Sequence, residues 1–246
     1  MEREQCVMTE PGATASAGGE SFEDLAWLFR CDSRNRGIIA QGFDEAAMLW
    51  KATRATAGDI LEIGRKRAGS TVLLAAAAPG RLIYSLDLRL RPNPLCREYL
   101  ERPGNRERVQ LRVANSRESL PGMHYGLLFI DGDHSFEGAL ADVVAHWNSL
   151  KETGDRPGLA IFHDAVPNRN YEWRDAHRRG KRFWIRLKNR FRSEKKPEIA
   201  LDYAVGVNRV CRKLVDDGLA ESWGSAGSML VLKKRADLPS GFAASF

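Results

Sequence analysis

No apolar run of roughly 18 residues occurs in the 246-residue chain, so no segment has the makings of a membrane-crossing helix. The first residues carry Glu2, Glu4 and Glu10 and no apolar stretch, which argues against a secretory signal. Cysteine is scarce and scattered: Cys6, Cys31, Cys96 and Cys211 form no C-x-x-C pair. That argues against a zinc site and against a disulfide framework, and it suits a reducing cytoplasm. The full G-x-G-x-x-G loop of nicotinamide-dependent enzymes is missing, and so is any internal repeat.

What is present is ordinary for a globular protein, at 43% hydrophobic and 28% charged residues, in a length that suits one α/β domain with a full core, or one domain plus an appendage. The net charge of +6 is not spread evenly. Between Arg169 and Lys196 there are twelve Lys or Arg against three acids, so the rest of the chain is slightly acidic.

The stretch Asp59-Ile-Leu-Glu-Ile-Gly-Arg-Lys-Arg-Ala-Gly-Ser70 organises the reading. Ile60 to Ile63 is a short apolar run of the kind that forms a buried parallel strand. Gly64 and Gly69 follow, and Thr71 to Ala78 has helical composition. Strand, glycine turn and helix bind nucleotides at the carboxyl edge of a parallel sheet, although two glycines after a strand also make a plain tight turn.

A rhythm then continues downstream. Strands are expected at 81–86, 109–113, 125–130 and 159–162, with helices at 70–78, within 92–102 and at 137–150. Two helices precede the first strand, at 22–29 and 43–57. A helix over 203–217, with Val207, Val210, Leu214 and Val215 toward the core, and a hairpin with strands 219–223 and 228–234 close the chain. Residues 1–20 read as a disordered lead-in, 21–57 as helices capping the domain, 58–235 as the domain itself with a basic insertion at 168–197, and 236–246 as a loose tail. Alternating strands and helices define a Rossmann-like, doubly wound, mostly parallel sheet with helices on both faces.

Each strand ends in polar residues: Glu62 and Gly64, Asp87, Asn115 and Ser116, Asp131 with Asp133 and His134, and His163 with Asp164. The motifs LEIG-RKRAGST (61–71), YSLDL (84–88), FIDGDHSFEGALADV (129–143) and LAIFHDA (159–165) together resemble the class I S-adenosylmethionine-dependent methyltransferases. Within them the chain looks like the small-molecule O-methyltransferases related to macrolide-sugar and catechol-type enzymes. The resemblance implies seven strands, the last two an antiparallel hairpin.

It implies that Glu62, Gly64, Gly69 and Ser70 line the methionine end of the cofactor S-adenosyl-L-methionine, that Asp87 holds the ribose, and that Asn115, Ser116 and Asp131 complete the cofactor site. By the same resemblance Asp131 and Asp164 would carry a divalent metal, Mg²⁺, and His134 with Asp131 would do the acid–base work on a hydroxyl of a sugar, glycan or natural product. Two carboxylates holding Mg²⁺ can lower the pKa of an alcohol, and a neutral His can then take its proton. The alternative for Asp131, Asp133 and His134 is loop capping at a helix start, with Ser135 as the cap.

The sequence also departs from the family. Lys66 and Ala68 occupy positions often held by glycine, and Ala165 stands where catechol-type enzymes have Asn. Arg65, Lys66 and Arg67 are expected to point away from the cofactor or to meet its carboxylate. The basic segment interleaves cations with Phe183, Trp184 and Phe191. It reads as a lid for an acidic acceptor, as a surface for peripheral contact with an anionic membrane bearing a lipid-linked acceptor, as an RNA-binding strip, or as a solvated amphipathic helix. RNA methylation and a degenerate, non-catalytic binding module are the competing functions. No Asn-Pro-Pro-Tyr-like base-methylation motif and no cysteine placed as a nucleophile is seen. A cytoplasmic location and homo-oligomer formation complete the expectations.

Overall fold

The computed structural model describes residues 20–29, 38–166 and 203–246, and between 167 and 202 only Phe183, Trp184, Leu187 and Arg190. The strands are β1 (Ile60–Ile63), β2 (Ile83–Asp87), β3 (Val109–Val113), β4 (Leu127–Ile130), β5 (Leu159–Phe162), β6 (Ala220–Ala226) and β7 (Met229–Lys234). The helices are α1 (Phe43–Ala55), α2 (Gly69–Ala77), α3 (Pro94–Leu100), α4 (Phe136–His146) and α5 (Tyr203–Asp216). Glu23–Phe29, expected as an α-helix, is a 3-10 helix.

The strands form one sheet in the order β3-β2-β1-β4-β5-β7-β6. The first five run parallel, and β7 lies antiparallel to both β5 and β6. This is the expected seven-stranded doubly wound sheet with an antiparallel end. The hairpin turn lies at Gly227 and Ser228, later than its expected place at 224–227. Gly224 stays in the strand across a bulge beside the Met48 side chain, and Gly227 takes the left-handed conformation that the reversal needs.

β1, β4 and β5 are buried at every position, because helices cover both faces. Alternation along each strand sends residues to two different cores. Ile60, Phe129 and Ile161 pack with α1, α2 and α3, whereas Leu61, Ile63, Leu128 and Phe162 pack with α4 and α5. Val215, expected toward the core, is exposed instead on α5, and Val144 is exposed on α4.

Arginines tie the layers by donating to backbone carbonyls. Arg81 reaches Thr53, Thr56, Ala57 and Gly58 at the end of α1, and Arg108 reaches Ala75 and Ala78 at the end of α2. They satisfy carbonyls that a helix end leaves unpaired.

Alternation also fixes Glu62. It points with Ile60 toward α2 and is fully buried. Its Oε1 accepts from Ser70 Oγ at 2.5 Å, and its Oε2 accepts from Thr71 Oγ1 at 2.6 Å and Ser85 Oγ at 2.5 Å. Burial pushes its pKa up, against the pull of those three hydroxyls and of the Arg65 charge. Glu62→Ala would strand all three hydroxyls beside a cavity. It is expected to lower unfolding stability by about 3 kcal/mol in urea titrations, and Glu62→Gln by clearly less.

Candidate active site

The strand order reverses between β1 and β4, and the crevice at their carboxyl ends is where such sheets bind ligands. A cavity of about 1150 Å³ opens there. Gly64, Asp87, Asn115, Ser116, Asp131, Asp133, His134, His163 and Asp164 line it. Glu62, Gly69 and Ser70, expected beside the cofactor, do not. Glu62 and Ser70 are bonded to each other under α2, and Gly69 serves packing, since an added Cβ would stand 2.6 Å from Ile39 Cα.

The turn after β1 is built tightly. Gly64 has φ +87°, and a Cβ there would lie 2.2 Å from the Asp131 carbonyl oxygen, so only glycine lets the ends of β1 and β4 meet this closely. Lys66 and Ala68 also take positive φ, 51° and 69°, the conformation that glycine adopts without strain. Side chains there cost on the order of 1 kcal/mol each.

Of the three cations in this turn, Arg65 is buried and bridges β2 to β3, donating to Ser85 O at 2.5 Å, Arg112 O at 2.8 Å and Arg89 O at 3.0 Å. Lys66 and Arg67 line the cavity, with Arg89, Arg91 and Arg117. Asp87 is anchored by two backbone N–H groups, Lys66 to Oδ2 at 2.9 Å and Arg89 to Oδ1 at 2.9 Å. The Asn115–Ser116 wall is held from α4, where His146 Nε2 lies 2.8 Å from Ser116 O. Ser135 caps α4 as expected, accepting from the Gly138 N–H at 3.0 Å. Asp133 accepts from the Ser135 N–H and pairs with Arg117, both at 3.0 Å.

At the other end of the cavity a cluster of carboxylates and imidazoles converges. Asp131 Oδ1 lies 3.0 Å from His134 Nε2 and 3.1 Å from His163 Nδ1. Asp131 Oδ2 accepts from Gln41 Nε2 at 2.7 Å. His134 Nδ1 is 2.8 Å from Asp164 Oδ2, and His163 Nε2 is 3.3 Å from Glu45 Oε2. Ser228 Oγ donates to Glu45 Oε1 at 2.6 Å and also meets Asp164 Oδ1 at 3.2 Å. Asp164 itself takes φ 57°, and the next residue, Ala165, is buried with its N–H on Ser228 O. Ala165 therefore offers the cavity no side-chain ligand.

Sequence reading missed Gln41, Glu45 and Ser228 as members of this cluster. No local motif marks them, and they arrive from α1 and the terminal hairpin. The basic segment's readings fall outside the described residues, except that Phe183 and Trp184 are exposed with their ring centroids 6.1 Å apart.

The expected pair of metal-binding carboxylates is arranged differently. The His134 ring stands between Asp131 and Asp164, touching both. Three donors that lie within 4.8 Å of one another come from Asp131, His134 and His163, a mixed nitrogen and oxygen set. Mg²⁺ prefers oxygen ligands, so the residues present do not fit it.

Burial opposes charge on the histidines, but the carboxylates outweigh it. His134 is raised to about 9 by Asp131 and Asp164, and His163 to about 10 by Asp131, Glu45 and Asp164. Burial likewise opposes charge on Glu45, yet His163, Ser228 and Gly42 hold it down at about 2. Asp131 is lowered too, by both imidazoles against its burial.

Residues 61–165 match the family model described as a methyltransferase domain, Methyltransf_24. No curated protein matches the chain in sequence. Among solved structures, the SAH-bound methyltransferase PaMTH1 of Podospora anserina is 14% identical, with 89% of this chain and 90% of that one covered and a TM-score of 0.54. The SAM complex of the O-methyltransferase TomG from Streptomyces achromogenes is 15% identical, with 87% and 89% covered and a TM-score of 0.51. Cofactor-bound Rv0187 from MTB is 18% identical, with 81% and 83% covered and a TM-score of 0.54. At these identities the structural likeness is one of fold. Residues 61–165 thus match a methyltransferase domain, in the fold that these solved methyltransferases share.

The histidine shifts predict a pH dependence of stability. Groups raised on folding stabilise fully below their unfolded value, near 6.5, and lose that contribution as pH climbs through about 9 to 10. Glu45, lowered on folding, loses its contribution only as pH falls from 4.5 toward 2. The melting temperature measured by calorimetry is expected to fall between pH 6.5 and 10. His163→Gln should cut that slope to roughly half, since one of the two raised groups is gone.

Proposed function

We propose that the protein transfers a methyl group from S-adenosylmethionine to a hydroxyl oxygen of a small acceptor, a sugar, glycan or natural product. The observation that carries this reading is the two-ended cavity: a ribose-ready acid, Asp87, at one end and the Asp131–His134–Asp164 cluster at the other. The volume of about 1150 Å³ has room for a nucleoside cofactor and an acceptor together.

The residues present fit the cofactor. Both Asp87 oxygens are fixed by N–H groups and the residue lines the cavity, which suits it to accept from a ribose diol. Gly64 keeps the floor clear beside Asp131, and Lys66 or Arg67 is placed to meet a carboxylate. Asn115 and Ser116 would flank the base. When bound, S-adenosylmethionine supplies an electrophilic methyl on a sulfonium, and the driving force with it.

The protein's own part is to place and deprotonate the acceptor. Asp164 holds the His134 ring at Nδ1 and Asp131 holds it at Nε2, on the lining of the cavity. His134 takes the hydroxyl proton at Nε2 as the oxygen attacks. It must be neutral to do so, and its carboxylate neighbours keep it charged up to about pH 9. No step is assigned to Mg²⁺.

The cavity rim favours an anionic acceptor. Among the described residues no carboxylate pairs with Lys66, Arg67, Arg89 or Arg91, so these four are available to a phosphate or carboxylate group. RNA as acceptor is the second reading, and it draws on the same rim. Salt-dependent tRNA binding near physiological ionic strength would favour it.

Calorimetry should show micromolar binding of S-adenosylmethionine and S-adenosylhomocysteine, weakened about tenfold or more by Asp87→Ala. Absence of binding would move the reading to a non-catalytic module. His134→Asn is expected to lower kcat by about 10²- to 10⁴-fold with cofactor affinity retained. With an acceptor in hand, kcat/KM should climb from pH 7 to about 9, and a flat profile there would remove His134 as proton acceptor.

A further inference from the structure

The loop that leaves β2 carries an apolar feature that the proposed reaction does not call for. Leu88 to Leu95 reads Leu-Arg-Leu-Arg-Pro-Asn-Pro-Leu, with leucine and arginine alternating at its start and no acid anywhere in it. Leu88, Leu90 and Leu95 are 72%, 52% and 50% exposed. Val113, in register with Asp87 at the end of the edge strand β3, is 61% exposed. A single exposed leucine is ordinary on a protein surface. Several large aliphatic side chains about one loop make a patch of the kind that meets a partner.

The loop is tied down, so its leucines are held out by its construction. The Arg65 guanidinium donates to Arg89 O at 3.0 Å, and the Asn93 N–H donates to Arg67 O at 2.8 Å. Asn93 Oδ1 then caps α3, accepting from the Leu95 N–H at 3.0 Å. Pro92 and Pro94 restrict the chain beside these ties. A ridge fixed beforehand loses little conformational freedom when it binds. Its charge is of one sign. Lys66, Arg67, Arg89 and Arg91 are exposed and share the cavity rim with Leu88. Among the described residues no carboxylate pairs with these four side chains.

We infer that this ridge is a docking surface for the anionic face of a lipid bilayer. Its arginines and lysine meet phosphate headgroups, and its leucines enter the boundary between headgroups and acyl chains. Attachment of this kind grows with the apolar area buried and with the charge attracted. RNA carries the same phosphate charge, but single strands are gripped by stacking bases on aromatic rings, and the stretch 88–95 has none. Leu88 belongs to the ridge and to the cavity lining alike, so docking sets the cavity mouth on the lipid surface. Under the proposed function, the hydroxyl acceptor is then one presented at a membrane. That consequence rests on the proposed function, whereas the docking surface stands without it.

The test is co-sedimentation of the full-length protein with sucrose-loaded vesicles, without cofactor or acceptor. Mixed phosphatidylglycerol and phosphatidylcholine vesicles are compared with phosphatidylcholine alone. Binding is expected on the anionic vesicles, about tenfold or more weaker on the neutral ones, and reduced by added salt. Leu90→Ser/Leu95→Ser leaves every cation in place and should weaken it by about tenfold or more. Arg89→Gln/Arg91→Gln should do the same. Circular dichroism checks that each variant is folded. If the double leucine variant fails to fold, Leu90→Ser carries the test with a smaller loss. No binding to the anionic vesicles would overturn the assignment. So would undiminished binding of the folded leucine variants, which would place the contact on another part of the chain. Tighter binding to tRNA than to the vesicles, insensitive to the leucines, would make the ridge a nucleic-acid surface and overturn it as well. Cofactor binding and methyl transfer, measured separately, test the proposed function and do not bear on this result.

Discussion

One oxygen atom, Asp131 Oδ1, is shared by two imidazole rings, and the arrangement of the site follows from that sharing. Three carboxylates, from Glu45, Asp131 and Asp164, are gathered in a largely buried space. Left alone they would repel one another and lose hydration. Two histidines placed between them turn the repulsion into attraction, and each ring is clamped at both nitrogens as a result. Buried charge is tolerable only when it is paired in this way. The protein therefore holds its reactive groups in one geometry by electrostatics, in a part of the fold where apolar packing gives way to a cavity.

That geometry depends on distant parts of the chain meeting at the strand ends. β4 delivers Asp131, and β5 delivers His163 and Asp164 through a left-handed residue at Asp164. α1 and the loop before it bring Glu45 and Gln41, and the turn between β6 and β7 brings Ser228. Gly64 is the permissive element, because its missing Cβ lets the β1 turn lie against the Asp131 backbone. Gly69 serves similarly by letting α2 approach Ile38 and Ile39, next to Gln41. Glu45 of α1 thus backs the cluster, and Ala40 ahead of that helix lines the cavity.

Charge is divided along the cavity. Cations from the β1 and β2 turns line one end, and the carboxylate–imidazole cluster lines the other. A sulfonium donor and an anionic acceptor would meet between them. The strained turn at Lys66 and Ala68 keeps the backbone path of a glycine loop, and its two side chains have different fates. Lys66 adds a cation to the rim, and Ala68 is buried.

The sequence by itself determined the sheet and its helices, because short β-branched and aliphatic runs ending in Gly, Asp or Asn admit few other readings. It also marked Gly64, Asp87, Asn115, Ser116, Asp131, His134 and Asp164, since each sits just past a strand, where a doubly wound sheet opens its crevice. Only the tertiary structure decided the rest. Strand alternation turned Glu62 inward to the hydroxyls of Ser70, Thr71 and Ser85, a direction that a motif cannot convey. The hairpin turn moved because packing beside Met48 and Glu45 set which glycine would reverse the chain. Gln41, Glu45 and Ser228 joined the cluster across 90, 118 and 64 residues, to Asp131, His163 and Asp164 respectively. A sequence shows which groups stand at a strand's end. Which groups will face them is fixed by the packing of elements that are remote in the chain.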